Sequence, residues 1–250
     1  MIIIRDLNHD RDGKPTLREI DLTLQSGGMT ALIGPNGAGK STLLSLIARL
    51  IPLQHGQIMV DDLQIGACAN DALARRLAIL PQTSDAAPLL TVRELVSFGR
   101  YPYHKGRPSA EDRERVEAAL ATFDLAPLAE RRLDTLSGGQ RQRAQVAMTF
   151  AQETDYILLD EPLNNLDIAA SRGLMHTLQD LARTHDRTIV IVLHDINYAA
   201  AYADQIVAMK DGRITHHGAA REVVTDAMLS EVYGTSARVH RIGDTVVVAV

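Results

Sequence analysis

One cysteine, no tryptophan and an aromatic content of 4% mark this 250-residue chain by scarcity. The lone thiol, Cys68, excludes an internal disulfide and fits a reducing compartment. No apolar run approaches the ~18 residues that a membrane-crossing helix needs, so any membrane role is expected to be borrowed from a partner. No secretory leader is expected either: Met1-Ile2-Ile3-Ile4 meets Arg5 and Asp6 at once, with no small-residue cleavage site behind them. Positive charge is not in surplus. The 26 Lys+Arg stand against 31 Asp+Glu, a formal net charge of −5, which argues against a dedicated nucleic-acid binder. There is no internal repeat and no low-complexity tract. What is present, 46% hydrophobic residues, is ordinary for a globular protein and suffices for one large α/β domain with an insertion or for two small domains.

The chain is organised around Gly34-Pro35-Asn36-Gly37-Ala38-Gly39-Lys40-Ser41-Thr42. The apolar run Met29–Ile33 before it reads as a buried strand, and Leu43–Ala48 after it reads as a helix. Strand, glycine loop and helix are the order a phosphate cradle needs. The glycines let the backbone wrap a polyphosphate with its N–H groups inward, and the helix start adds positive dipole at the same place. Lys40 would reach the β and γ phosphates, and the Ser41 hydroxyl would ligate Mg²⁺.

Elsewhere the periodicity predicts strands at Ile2–Ile4 and Ile20–Leu24, separated by a polar turn over Asp10–Pro15, and further strands at Gln57–Val60 and Leu77–Leu80. From Thr83 to Glu153 the pattern turns helical, with Ser109 and Asp112 spaced as a capping box, and again Ser137 and Gln140. Two continuous apolar runs, Tyr156–Leu159 and Thr188–Leu193, read as strands buried on both faces. The first ends in Asp160-Glu161-Pro162 and the second in His194-Asp195. A helix is expected from Ile168 to about His185. Asp211-Gly212 between Ile206–Met209 and Arg213–Thr215 is a hairpin signal, and Val246–Val248 after Gly243-Asp244 suggests one more strand pair.

Three buried strands are thus expected to deliver Lys40, Asp160-Glu161 and His194 to one sheet edge, where open α/β sheets place their ligands. Asp160 is suited to hold the Mg²⁺ touched by Ser41, largely through water. Glu161 would polarise the attacking water, His194 would contact the γ-phosphate region or orient that water, and Gln82 could add a ligand to Mg²⁺ or to the water. His216-His217 is read as solvated, because adjacent residues on a strand point to opposite faces.

Gly34–Thr42, Leu80-Pro81-Gln82, Leu136–Gln140, Leu158–Pro162, Asn165-Leu166-Asp167 and Leu193-His194-Asp195 together resemble the ATP-binding-cassette ATPases, in the family's order and across essentially the whole chain. There they correspond to the Walker A loop, Q-loop, signature motif, Walker B with catalytic glutamate, D-loop and H-loop. The resemblance implies a P-loop NTPase (RecA-like) α/β core with a mostly parallel sheet, residues 1–82 and 154–250. It also implies an antiparallel β subdomain and a helical insertion, residues 83–153, carrying the signature. It implies ATP and Mg²⁺ as ligands, with Gly34 to Thr42 holding nucleotide. It further implies a head-to-tail dimer in which Ser137, Gly138, Gly139 and Gln140 of one copy cap the γ-phosphate held by Lys40 of the other. Two departures stand out. There is no aromatic before Phe98 to stack on adenine, which leaves His9 or Arg11, and Leu163-Asn164 replaces the commoner Thr, a change expected not to disturb chemistry. The stretch Leu95–Tyr103 with Gly106-Arg107 is similar to importers of iron-siderophores, haem and vitamin B12, and Asp160–Asp167 with His194–Ala199 most resembles the iron-siderophore members. The implied partners are a second copy, a membrane permease contacting the face from Gln82 to Tyr103, and indirectly a substrate-binding protein. The implied location is the cytoplasmic face of a bacterial inner membrane. A haem or vitamin B12 importer and a soluble, non-transport ATPase switch are the alternatives.

Overall fold

A computed structural model describes residues 1–82, 89–243 and 245–249. It divides into two compact units: residues 1–68 with 188–250, and residues 69–187.

The first unit opens with a long antiparallel pair, β1 (Ile2–Arg11) and β2 (Lys14–Leu24), joined by a two-residue turn in which Asp12 and Gly13 have φ of +52° and +72°. The turn is shorter than the six-residue one the sequence suggested. The strands continue because bulges reset their phase, with a third register shift between His9 and Asp10. Between Ile4 and Leu7 the register slips on β1, where Asp6 has φ +44°, and between Leu7 and His9 it slips on β2, where Glu19 has φ +49°. Each extra residue turns the next side chain back toward the core, so Leu7, His9 and Leu17 continue the buried face of Ile2, Ile4, Ile20, Leu22 and Leu24. After β3 (Gly28–Ile33) come a helix over Lys40–Ile47, β4 (His55–Val60) and the short β5 (Leu63–Gln64). β4 lies against β1, giving the order β2-β1-β4-β5.

The second unit is mainly helical. Helices span Asn70–Arg76, Val92–Phe98, Tyr101–His104, Ala110–Thr122, Gly138–Ala151 and Ile168–Thr184. Two parallel strands, β6 (Leu77–Leu80) and β7 (Tyr156–Asp160), pair Leu77 with Tyr156 and Leu80 with Leu159. Both predicted capping boxes are present, at Ser109/Asp112 and Ser137/Gln140, and a third, Thr91/Glu94, starts the helix over Val92–Phe98. The helix over Ala110–Thr122 buries Val116, Ala119 and Leu120 at helical spacing, and Phe123 meets Phe150 edge-on at 5.6 Å. Among these elements sits a buried cation: Arg100 is 4% exposed. It donates to Asp112 Oδ1 at 3.1 Å, to the Ala151 carbonyl at 3.0 Å and to Glu153 Oε2 at 3.1 Å. Its guanidinium also lies 4.0 Å from the Tyr103 ring centre.

The chain returns to the first unit with β8 (Thr188–Val192), a helix over Ile196–Tyr202, the hairpin β9 (Gln205–Lys210) and β10 (Arg213–Ala219), and a helix over Asp226–Tyr233. A last antiparallel pair is formed by β11 (Arg238–Ile242) and β12 (Thr245–Ala249); Asp244 between them lies outside the described residues. β3 is flanked by parallel β8 and β9, with β10 antiparallel beyond. Asp211 and Gly212, at φ +49° and +76°, make the tight turn the sequence announced. Strand β3 is buried almost throughout, as a strand with parallel neighbours on both sides should be.

Candidate nucleotide site

The first unit's candidate residues grow out of β3. Beyond Ile33 the backbone enters conformations that only glycine takes without strain: Gly34 has φ +143° and Gly39 φ +99°. A Cβ on Gly34 would lie 2.1 Å from the Met209 carbonyl oxygen, and one on Gly39 would lie 2.6 Å from Leu17 Cδ2. The loop therefore lies close against β9 and β2, and its two ends are fixed. Lys40, 5% exposed, bends back so that Nζ donates to the carbonyls of Gly34 at 2.8 Å and Pro35 at 3.0 Å.

The helix that starts at Lys40 has a glycine at its N-cap and no acidic residue in its first turn. First-turn N–H groups have no acceptor inside a helix, and here no side chain at the cap supplies one. That open, positive end beneath a glycine loop fits a polyphosphate. On the same edge, β8 runs parallel to β3 with Leu32 opposite Val192, and the Leu193 N–H donates to the Leu32 carbonyl at 3.2 Å. His194 follows at once and is exposed, and Asp195 caps the next helix by accepting from the Asn197 N–H at 2.8 Å. The glycine loop after β3 and His194 after β8 thus leave one edge of the first unit together. Of the two residues considered for adenine, His9 is buried at 6% exposure and Arg11 is exposed, so only Arg11 offers a surface.

The second unit's candidate residues sit at the ends of β6 and β7. Asp160 is 4% exposed and Glu161 9%. Gln82 Nε2 donates to Glu161 Oε2 at 2.8 Å, a contact the sequence reading did not foresee. The sequence reading missed Asn164, whose Nδ2 donates to that same oxygen at 2.8 Å. The sequence reading expects Leu163-Asn164 not to disturb chemistry; in the structure Asn164 touches the glutamate itself. Its three-residue distance from Glu161, within reach of a single turn, was the available signal.

Ser137, Gly138, Gly139 and Gln140 form the capped start of the helix over Gly138–Ala151. The Gln140 N–H donates to Ser137 Oγ at 3.2 Å and the Ser137 N–H to Gln140 Oε1 at 3.1 Å. A Cβ on Gly139 would lie 3.1 Å from Leu166 Cδ2, so Asn165-Leu166 pack close beneath this start. Asp167 then caps the helix over Ile168–Thr184 by accepting from the Ala170 N–H at 2.7 Å. Within each unit the candidate donors are hard oxygens, the Ser41 hydroxyl in the first and the Asp160 carboxylate and Gln82 amide in the second, the chemistry that suits Mg²⁺.

The ABC transporter family matches residues 17–164, more than half of the chain. The petrobactin import ATP-binding protein YclP of Bacillus subtilis (strain 168) is 47% identical over 233 residues, 93% of this chain and 92% of that protein. The ferric enterobactin transport ATP-binding protein FepC of Escherichia coli (strain K12) is 42% identical over 89% of this chain and 83% of its own length. Among solved structures, the dimeric ATP-binding cassette MJ0796 bound to ADP and Pi matches with a TM-score of 0.79 at 28% identity, over 88% of this chain and 99% of that one. An inward-facing metal-chelate type ABC transporter matches with a TM-score of 0.85 at 25% identity, over 99% of this chain and 95% of that one. The chain belongs to the ABC transporter family. It is an ATP-binding cassette, an ATPase of the α/β P-loop type that its sequence led us to expect. Among the described residues no helix is long and apolar enough to cross a membrane.

Proposed function

We propose that this chain hydrolyses ATP to drive uptake of an iron-siderophore complex through a separate membrane permease, from the cytoplasmic face of a bacterial inner membrane. The observation that carries this reading is its similarity, along nearly the full length, to subunits named for import of petrobactin and ferric enterobactin. A further relative, the iron(3+)-hydroxamate import protein FhuC of Bacillus subtilis (strain 168), is 39% identical over 89% of the chain. Two copies act head to tail, a reading supported by the dimeric form of MJ0796. ATP lies on Gly34 to Thr42 of one copy, and Ser137, Gly138, Gly139 and Gln140 of the other close over its γ-phosphate. Glu161 polarises the attacking water and His194 orients it. Mg²⁺ would be held by Ser41, Asp160 and Gln82 and would neutralise charge on the phosphates. The permease docks on the face from Gln82 to Tyr103, of which residues 83–88 lie outside the described residues. Phe98 and Tyr101, 53% and 55% exposed, support that surface. A substrate-binding protein acts on the permease and not on this chain.

Glu161→Gln tests the chemistry: ATP binding should persist while hydrolysis falls at least about 100-fold, the scale of losing a general base. Hydrolysis at the normal rate would remove Glu161 from that role. Uptake of radiolabelled ferric siderophore by cells carrying the permease tests the transport reading, which fails if uptake continues with Glu161→Gln as the only copy.

A further inference from the structure

Glu161 is held by more than its strand. Its φ of +53° lies in the left-handed region, which a side chain disfavours and which persists only if its surroundings fix it. The Asn164 N–H donates to the Glu161 carbonyl at 3.2 Å, closing a turn over residues 161–164. The Asn164 and Gln82 side-chain amides each donate to Glu161 Oε2 at 2.8 Å. A carboxylate oxygen accepts about two such bonds, so these two amides fill Oε2.

The two arms are anchored differently. Gln82 reaches Glu161 from 79 residues away in the chain, at the end of β6. Asn164 belongs to the glutamate's own turn, so the backbone bond sets its distance whatever Gln82 does. A donor to a charged oxygen is stronger than a neutral pair and fixes the direction of the carboxylate plane.

We infer that Asn164 is a positioning residue for ATP hydrolysis: it holds one oxygen of Glu161 so that the carboxylate keeps its aim when Gln82 turns to nucleotide or metal. The inference rests on the reading of Glu161 as the group that polarises water. Misplacing such a group by about 1 Å can cost up to ~100-fold in rate, so partial loss of aim should cost about tenfold.

The test uses the full chain, with turnover measured beside binding of a fluorescent ATP analogue. Asn164→Leu, close in size but without a donor, and Asn164→Ala should both lower kcat about tenfold while KM for ATP and analogue affinity stay within about twofold. Asn164→Ser restores an O–H donor and should recover part of the loss. In a Glu161→Gln background, Asn164→Leu should cause no additional loss. Normal kcat in Asn164→Leu and Asn164→Ala, with only a drop in thermal stability, would overturn the inference, as would Asn164→Ser turning over no faster than Asn164→Leu. If Glu161→Gln itself keeps hydrolysing, the underlying reading fails. If Glu161→Gln is inactive while every Asn164 variant turns over normally, the positioning role alone fails.

Discussion

Two helix starts in this chain answer the same problem in opposite ways. The helix over Lys40–Ile47 begins with glycine, carries no acid in its first turn and leaves its first N–H groups without a capping side chain. The helix over Gly138–Ala151 begins with a complete capping box, Ser137 and Gln140 serving each other. Its far end is closed as well: Arg100 donates to the Ala151 carbonyl at 3.0 Å, and the Tyr103 hydroxyl to the Gln152 carbonyl at 2.9 Å. The first helix has no capping side chain, which is the arrangement proposed to receive a phosphate. The second is complete as protein, so any anion it meets finds a rigid, prearranged surface.

The largest expected effect comes from loosening the closed helix. Arg100→Met would leave Asp112 buried without its cation, and removing one partner of a buried pair costs about 3–5 kcal/mol. Chemical denaturation should show that loss, with the midpoint moving and the slope unchanged. The same network gives a pH signature. Burial pushes the Asp112 carboxyl up, but bonds from the Ser109 N–H and hydroxyl and from Arg100 outweigh it and hold it below the usual carboxylate value. A depressed folded-state value means that Asp112 stabilises the fold fully above the unfolded value of about 3.9 and ceases to do so as pH falls through the folded value. The wild-type chain should therefore lose stability below about pH 4, and Arg100→Met should show a shallower loss over that window.

The open helix is expected to fail in binding before it fails in folding. Gly34→Ala drives a methyl group to 2.1 Å from the Met209 carbonyl, so the loop must move away from β9. Moving the N–H groups off the phosphate should weaken ATP at least about 100-fold, while far-UV circular dichroism stays as in the wild type. Titration with a fluorescent nucleotide checks this, and unchanged affinity would mean that the loop's close seat on β9 is irrelevant to the cradle.

The unequal visibility of these features has a physical source. Gly34 to Thr42, the Asp211-Gly212 turn and the boxes at Ser109 and Ser137 are written in contiguous residues whose types force the local geometry, and the sequence showed them. The bulges at Asp6 and Glu19 were not legible, because an acidic residue at positive φ leaves no pattern of its own. They extended two strands past a stretch that looked like a turn. Arg100 joins Asp112 from one segment and Ala151 and Glu153 from another, and pairing at that range has no sequence period. Asn164 stands inside the acidic motif, but its type and spacing point to no phosphate or metal contact; its bond to the glutamate side chain shows only in the folded turn.

The smallest expected change separates the two roles that Ser137 combines. As an N-cap it accepts from the Gln140 N–H at 3.2 Å, and Ser137→Ala should cost about 1 kcal/mol, or about 2–4 °C in Tm. Aspartate is an equally good cap, so Ser137→Asp should keep Tm within about 1 °C of the wild type. The added carboxylate would, however, stand where the closed helix is proposed to face a γ-phosphate, and like charges there should stop turnover. A Ser137→Asp chain that is as stable as the wild type and hydrolyses ATP as fast would reduce this helix start to an ordinary cap and remove the functional half of the comparison. A chain that is stable but inactive would show that the two helix starts, one open and one closed, address the same anion.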